Sequence, residues 1–359
     1  MVSVVYFEKL LMLKKLFFPN DDKADHFAPL DGLRGLAVLL VLFGHARLIG
    51  MPFPNFMDID QIGVSGVHLF FVLSAYLLDR QIANTLLQHK ADIRYWLNYS
   101  LRRILRIYPL FFLSLLLYCY LTTRINVEGD MVFGHTVLPK SIIRYLTLQK
   151  GEGFYWSIPV EFKYYFISPF LMLFCHYVLR WNIKQILLFF IVCIGVSIAI
   201  KMNINLSKIS TINYLPIFLI GTILSITDLL KQDNLLNWQK KYAKLTEIIG
   251  WLALGGIFIT NILGLSSAYK NAILWGIVLF ATKYGYGWFR YLFSLSFLRL
   301  WGVLSFSAYL LHRAVLGYVH HVANIPNKIE FFVFLGLTLL VSTISYLLIE
   351  KPLSRIRLR

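Results

Sequence analysis

The chain has 359 residues, of which 58% are apolar and only 15% charged, and its formal net charge is +17. Soluble domains carry roughly 25% charged residues and need them to cover their surface, so a soluble globular fold is excluded. The positive charge does not point to nucleic acid, because the Lys and Arg residues sit between apolar runs rather than along one exposed face.

Residues 1–30 are expected to form an interfacial segment on the inner leaflet. Their apolar stretch Leu10–Phe18 is interrupted by Lys14 and Lys15 and ends without the small-residue pattern of a cleaved signal peptide. Apolar spans follow at about 33–50, 62–79, 106–122, 154–178, 184–201, 211–230, 247–264, 269–282, 300–320 and 329–350. Most approach the roughly 20 residues that a bilayer-crossing helix requires. The second is rich in Gly and Ser and the eighth is short, which leaves a kinked or re-entrant course open for both. The pattern predicts an all-α, polytopic integral membrane helix bundle of about ten transmembrane helices. It forms one domain over 1–359 that ends in a basic tail at 351–359. Counted by side, 23 Lys and Arg residues fall in one set of loops and 8 in the other. The positive-inside rule then places both termini in the cytoplasm. Cys119, Cys175 and Cys193 lie in apolar runs without metal-ligand or CxxC spacing and read as small buried hydrophobes, so no metal site is expected.

Ionisable groups inside spans are costly and therefore stand out as functional candidates. In the first span Arg34 and His45 are eleven residues apart, close to three helical turns. Both project from one face, separated by roughly 16 Å along the axis. Arg34 could also snorkel to headgroups or pair with Asp31 as a helix N-cap, and His45 could be a packing residue. Arg103 and Arg106 share a face at the entry to the third span; they read either as positive-inside anchors or as a phosphate site, since guanidinium groups pair bidentately with phosphate. In the fourth span Glu161 lies about one and a half turns below the outer interface, and His312 in the ninth reaches a similar depth. Pairing of Glu161 with Lys163 or Arg313 is the structural alternative to convergence with His45 and His312.

These residues carry a resemblance. Asp31-Gly32-Leu33-Arg34-Gly35 through His45, the run Gly63–Ser74, Arg103-Ile104-Leu105-Arg106 with Pro109, Trp156-Ser157 with Glu161 and Tyr165, Ser307 to His312, and Glu350-Lys351-Pro352 occur in the order of motifs in the membrane acyltransferase-3 family of bacterial surface-glycan acyltransferases. The chain departs from that pattern at His68, where an acidic residue is common, at Phe162, where a second Glu often follows, and at Ala75, where Gly is usual.

The resemblance implies a multi-pass protein of the inner (plasma) membrane that moves an acetyl or other short acyl group from acetyl-CoA, or a related acyl-CoA, to a hydroxyl of a cell-envelope glycan. Arg34, Arg103 and Arg106 would hold the phosphates of CoA, and its extended pantetheine arm is comparable in length to the Arg34–His45 separation. His45 would act as base, oriented by Glu161. The expected partners are acyl-CoA, a carbohydrate acceptor and membrane lipids. Some relatives carry an extra-membrane hydrolase-like domain; without one, transfer is expected to finish in the membrane domain or on a separate periplasmic partner, and an oligomer stays open. The competing reading is a transporter or flippase of a glycan intermediate, although neither internal repeats nor matched discontinuous helices are evident.

Overall fold

The computed structural model describes residues 16–18, 27–48, 50, 59–124, 137–323 and 325–358, so most of the expected interfacial segment lies outside the described residues. The described residues are helical, with no strand among them. The main helices are α1 (Ala28–Leu48), α2 (Ile59–Leu87), α3 (Ile93–Arg124), α4 (Ser157–Tyr177), α5 (Ile183–Asn203), α6 (Leu215–Leu230), α7 (Gln232–Ile262), α8 (Ala268–Tyr284), α9 (Trp288–Ser294), α10 (Ser296–Val303), α11 (Ser305–His321) and α12 (Asn327–Ser345). A π-helical turn, Tyr346–Glu350, continues α12.

Among the described residues, seven helices are long and apolar enough to cross a membrane. The expected spans at 211–230, 269–282 and 300–320 fall instead on α6, α8 and α11, of 16, 17 and 17 residues. At 1.5 Å per residue these reach about 24–26 Å, less than the ~30 Å hydrocarbon layer. The second and eighth spans each fall within one continuous helix. The ninth is broken at Leu304, which separates α10 from α11. Asp31 is no N-cap: α1 starts at Ala28, and the carboxylate stands in its first turn.

Burial separates centre from periphery. In α2, 78% of the apolar window is buried, whereas in α5 only 17% is, and Leu188, Ile191, Val192 and Val196 of α5 are exposed as a lipid-facing helix requires. The α1–α10 contact depends on glycine. A Cβ at Gly35 would overlap the carbonyl oxygen of Leu298, and one at Gly302 would overlap that of Asp31. Close approach of two backbones through small residues is the usual way membrane helices gain packing energy, because lipid supplies no hydrophobic drive. Here it also fixes the azimuth of Arg34, one residue before Gly35.

Two buried carboxylates tie helices together. Asp79 of α2 accepts hydrogen bonds from Tyr164 (2.7 Å) and Ser168 of α4 and from Thr222 of α6 (2.5 Å). Asp228 of α6 meets Arg80 and Tyr76 of α2 and Lys283 and Tyr284 of α8. Carboxylates this buried are tolerated only when such partners satisfy them.

Candidate active site

At one end of the bundle, five arginines from three parts of the chain face a vestibule of about 330 Å³: Arg34 from α1, Arg102, Arg103 and Arg106 from α3, and Arg357 from the tail. Asp31 and Glu350 are the carboxylates in its wall. Arg357 is brought there by a two-way clip, in which Leu358 N donates to Asn98 Oδ1 (2.8 Å) and Asn98 Nδ2 donates to Leu358 O (3.3 Å). The π-helical turn carries Glu350 to the wall, where Ser307 donates to it. Arg103 lies over the rings of Tyr99 and Tyr165, 5.5 and 5.4 Å from their centroids, and donates through Nη2 to Gln81 (3.3 Å). Its buried Nε has no hydrogen-bond partner. Among the described residues, Arg34 and Arg106 make no side-chain hydrogen bond and no ion pair within 4.0 Å. Unpaired guanidinium groups facing one cavity suit a polyanion.

The vestibule adjoins a narrow inner cavity of about 50 Å³, and Arg34, Arg106, Ser305 and Phe306 line both. Five helices build the inner wall. Glu161 of α4 is its carboxylate, and Glu161 Oε1 accepts from Ser74 of α2 (2.6 Å) and from Tyr165 one turn along α4 (2.7 Å). The far wall is Ser157 and Tyr309: Ser157 Oγ donates to Tyr309 Oη (2.7 Å), which donates to the carbonyl of Phe154. The lining is otherwise apolar (Val67, Phe70, Phe71, Ile107, Ile158), as a slot for a thin, uncharged chain requires.

Behind that wall lies an imidazole pair. His45 Nδ1 and His312 Nε2 are 2.9 Å apart, and the Tyr309 ring is 6.0 Å from that of His312. The tautomers follow from the partners. His312 Nδ1 sits 2.7 Å from the carbonyl of Tyr309 and 3.1 Å from that of Ala308, and carbonyls only accept, so this nitrogen carries a proton. In a neutral ring Nε2 is then the acceptor, and His45 Nδ1 is the donor. His45 Nε2 keeps its lone pair. A histidine whose second nitrogen is held in this way is set up to take a proton.

Arg34, Arg103 and Arg106 therefore meet in one vestibule, and Arg34, Arg106 and Glu161 share the inner cavity. Glu161 and His45 are not brought together: His45 hydrogen-bonds to His312 and to the backbone of Val41, and Glu161 pairs with Ser74 and Tyr165 rather than Lys163 or Arg313. His45 and His312 do not line the inner cavity but stand one ring beyond Tyr309. The sequence reading placed neither Arg357 nor Ser74 in a site, although Ser74 closes the Gly63–Ser74 motif. Arg357 counted there only as an orienting charge, and nothing in a lone Ser signals a carboxylate partner 87 residues away.

A family profile described as "Acyltransferase domain" matches residues 27–348. Curated relatives from Staphylococcus aureus strains COL and MSSA476, each named "Putative O-acetyltransferase", are 25% identical over 379 aligned residues, covering 95% of this chain and 59% of theirs. The chain thus spans about three-fifths of the length of the curated relatives it matches. No solved structure matches it.

Proposed function

The chain belongs to the acyltransferase-3 family, and we propose that it is a membrane O-acyltransferase that moves an acetyl or other short acyl group from acyl-CoA to a hydroxyl of a cell-envelope glycan. The observation that carries this reading is that the arginine vestibule and the largely apolar inner cavity are neighbours that share Arg34, Arg106, Ser305 and Phe306 in their walls. One compartment suits phosphates and the next suits a pantetheine arm. The arginine-rich end faces the cytoplasm in this reading, supported by the excess of Lys and Arg in the loops on that side.

Arg34, Arg103, Arg106 and Arg357 hold the phosphates at the mouth. Ser74, Glu161 and Tyr165 line the passage of the amide-containing arm, and the thioester comes to rest at Ser157 and Tyr309. The Tyr309 ring is the last partition before the imidazoles, and its displacement admits the acyl carbon to them. An acceptor hydroxyl entering from the opposite end gives its proton to His45 Nε2 as its oxygen bonds to the acyl carbon. The C–S bond breaks, CoA leaves as thiolate, and His45 returns the proton to sulfur. Through Nδ1–H, the transient imidazolium of His45 keeps its hydrogen bond to His312 Nε2, which stabilises the charge. His312 takes the orienting part that Glu161 was expected to play. Glu161 stays a residue of the donor passage.

The test is transfer of label from [14C]acetyl-CoA to a glycan acceptor by purified protein in lipid nanodiscs, alongside His45→Ala at matched abundance. Labelled ester in the wild type and a loss of at least about a hundredfold in the variant are expected for a general base. Undiminished transfer by His45→Ala removes the catalytic assignment, and counterflow of glycan without ester formation favours a transporter.

A further inference from the structure

At the end of the bundle opposite the arginines, a cleft of about 690 Å³ lies between the segments 149–153 and 207–209. The two ends are told apart along α2: Val64, near its start, lines this cleft, whereas Gln81, near its end, holds Arg103. The floor is aromatic. Trp156 and Tyr214 stand with ring centroids 4.9 Å apart at 32°, and Phe71 supports both from beneath at 5.9 and 5.7 Å. The walls meet where Gly151 has no side chain: a Cβ there would come within 2.7 Å of Ile209 Cγ2. Gly153, at φ +56°, then turns the chain into the 3-10 helix Gly153–Trp156.

Charge in the cleft is one-sided. Lys150 is paired with Glu152 at 2.9 Å, and that carboxylate is the acidic group of the lining. Arg144 and Lys208 also line it and have no ion-pair partner among the described residues. Two free cations beside a flat aromatic floor call for a ligand with an apolar ring face and an anionic substituent. The volume lies within the ~300–1,000 Å³ of ligand pockets, room for a short run of rings.

We propose that this cleft is the acceptor site, and that the acceptor is an acidic oligosaccharide, a glycan segment bearing carboxylate or phosphate groups. The proposal rests on the acyl-transfer reading above and supplies its acceptor class. Position supports it. The 3-10 helix touches three places at once: Trp156 is the cleft floor, Phe154 lies edge-on to His312 with centroids 5.7 Å apart, and Ser157, the next residue, is in the inner cavity wall. A sugar stacked on Trp156 therefore sits on the same short segment that touches His312 through Phe154 and reaches the end of the donor passage at Ser157.

Binding is measured on the full chain in zwitterionic nanodiscs with two probes of equal length, a tetrasaccharide alternating glucuronic acid and N-acetylglucosamine, and neutral tetra-N-acetylchitotetraose. The acidic probe is expected to bind at least about tenfold tighter. R144A/K208A should abolish that preference while leaving the neutral probe unchanged, and W156A should weaken both. CoA is titrated into the same samples. Failure of CoA to bind would remove the donor reading and leave the cleft standing. Equal affinity for the two sugars, binding of neither, or an unaltered preference in R144A/K208A with CoA binding intact overturns the cleft proposal. Displacement of the acidic probe by phosphatidylglycerol nanodiscs would reassign the cleft to lipid headgroups and overturn it as well.

Discussion

Replacement of His312 separates the imidazole pair from every other account of His45. His312 is fully buried, and its ring is fixed by two carbonyls on Nδ1 and by His45 on Nε2. When His45 takes a proton, its Nδ1–H becomes a charged donor, and a charge-assisted hydrogen bond contributes about 1.5–3 kcal/mol. At ~1.36 kcal/mol per decade, His312→Ala is expected to lower kcat between about 10- and 150-fold. KM for acyl-CoA should not move, because His312 does not line the donor cavities. Gln and Asn refine the test. A Gln amide reaches the place of the lost Nε2 and can still accept from His45, whereas Asn reaches only the place of Nδ1. His312→Gln should therefore retain more activity than His312→Asn, by roughly tenfold, which is about 1.4 kcal/mol. The assay is steady-state transfer in nanodiscs at matched protein abundance. Equal activity of Gln and Asn variants, or full activity of the Ala variant, refutes the assigned tautomers and the relay.

Arg34→Ala and Arg106→Ala should each weaken CoA binding by about 10- to 100-fold in an equilibrium titration, from the loss of a charge-assisted contact. Lys in place of Arg34, Arg103 or Arg106 should cost less than Ala, and the wild-type affinity should fall with added salt. Unchanged donor affinity in all three Ala variants would leave them as topology anchors. Glu161→Gln should slow transfer more mildly than His45→Ala, since an amide oxygen can still accept from Ser74 and Tyr165; a loss equal to that of His45→Ala, by the same assay, would restore Glu161 to the catalytic centre. Gly302→Val, which would drive two methyl groups at the backbone of α1, should reduce folded protein in a thermal-aggregation assay by a Tm shift of several degrees, whereas Gly255→Ala, with open space at its Cβ position, should not.

How much of this could be read beforehand depends on which kind of geometry a residue encodes. Spacing along one helix was legible: Arg34 and His45 do share the inward side of α1, and the basic cluster of α3 meets Arg34. Contacts between helices were legible only in part: His45 and His312 do converge, at 2.9 Å, but Glu161 does not join them. The depth of Glu161 and of His312 follows from counting residues, but the azimuth of one helix relative to another is set by packing such as Gly35 on Leu298 and Gly302 on Asp31. That is why the sequence put Glu161 beside His45 and the structure puts it beside Ser74. Arg357 shows the same limit at the tail. Its charge is visible in the sequence, whereas the Asn98 clip that swings it into the vestibule joins residues 260 positions apart. The break at Leu304 escaped because a hydropathy window averages over a single residue at φ −85°, ψ 1°.

Among the described residues, the inner cavity and the cleft have no lining side chain in common, although Trp156 stands in the wall of one and Ser157, the next residue, in the wall of the other. A single peptide unit thus borders both compartments, and a substitution that displaces the backbone there would reshape the two at once.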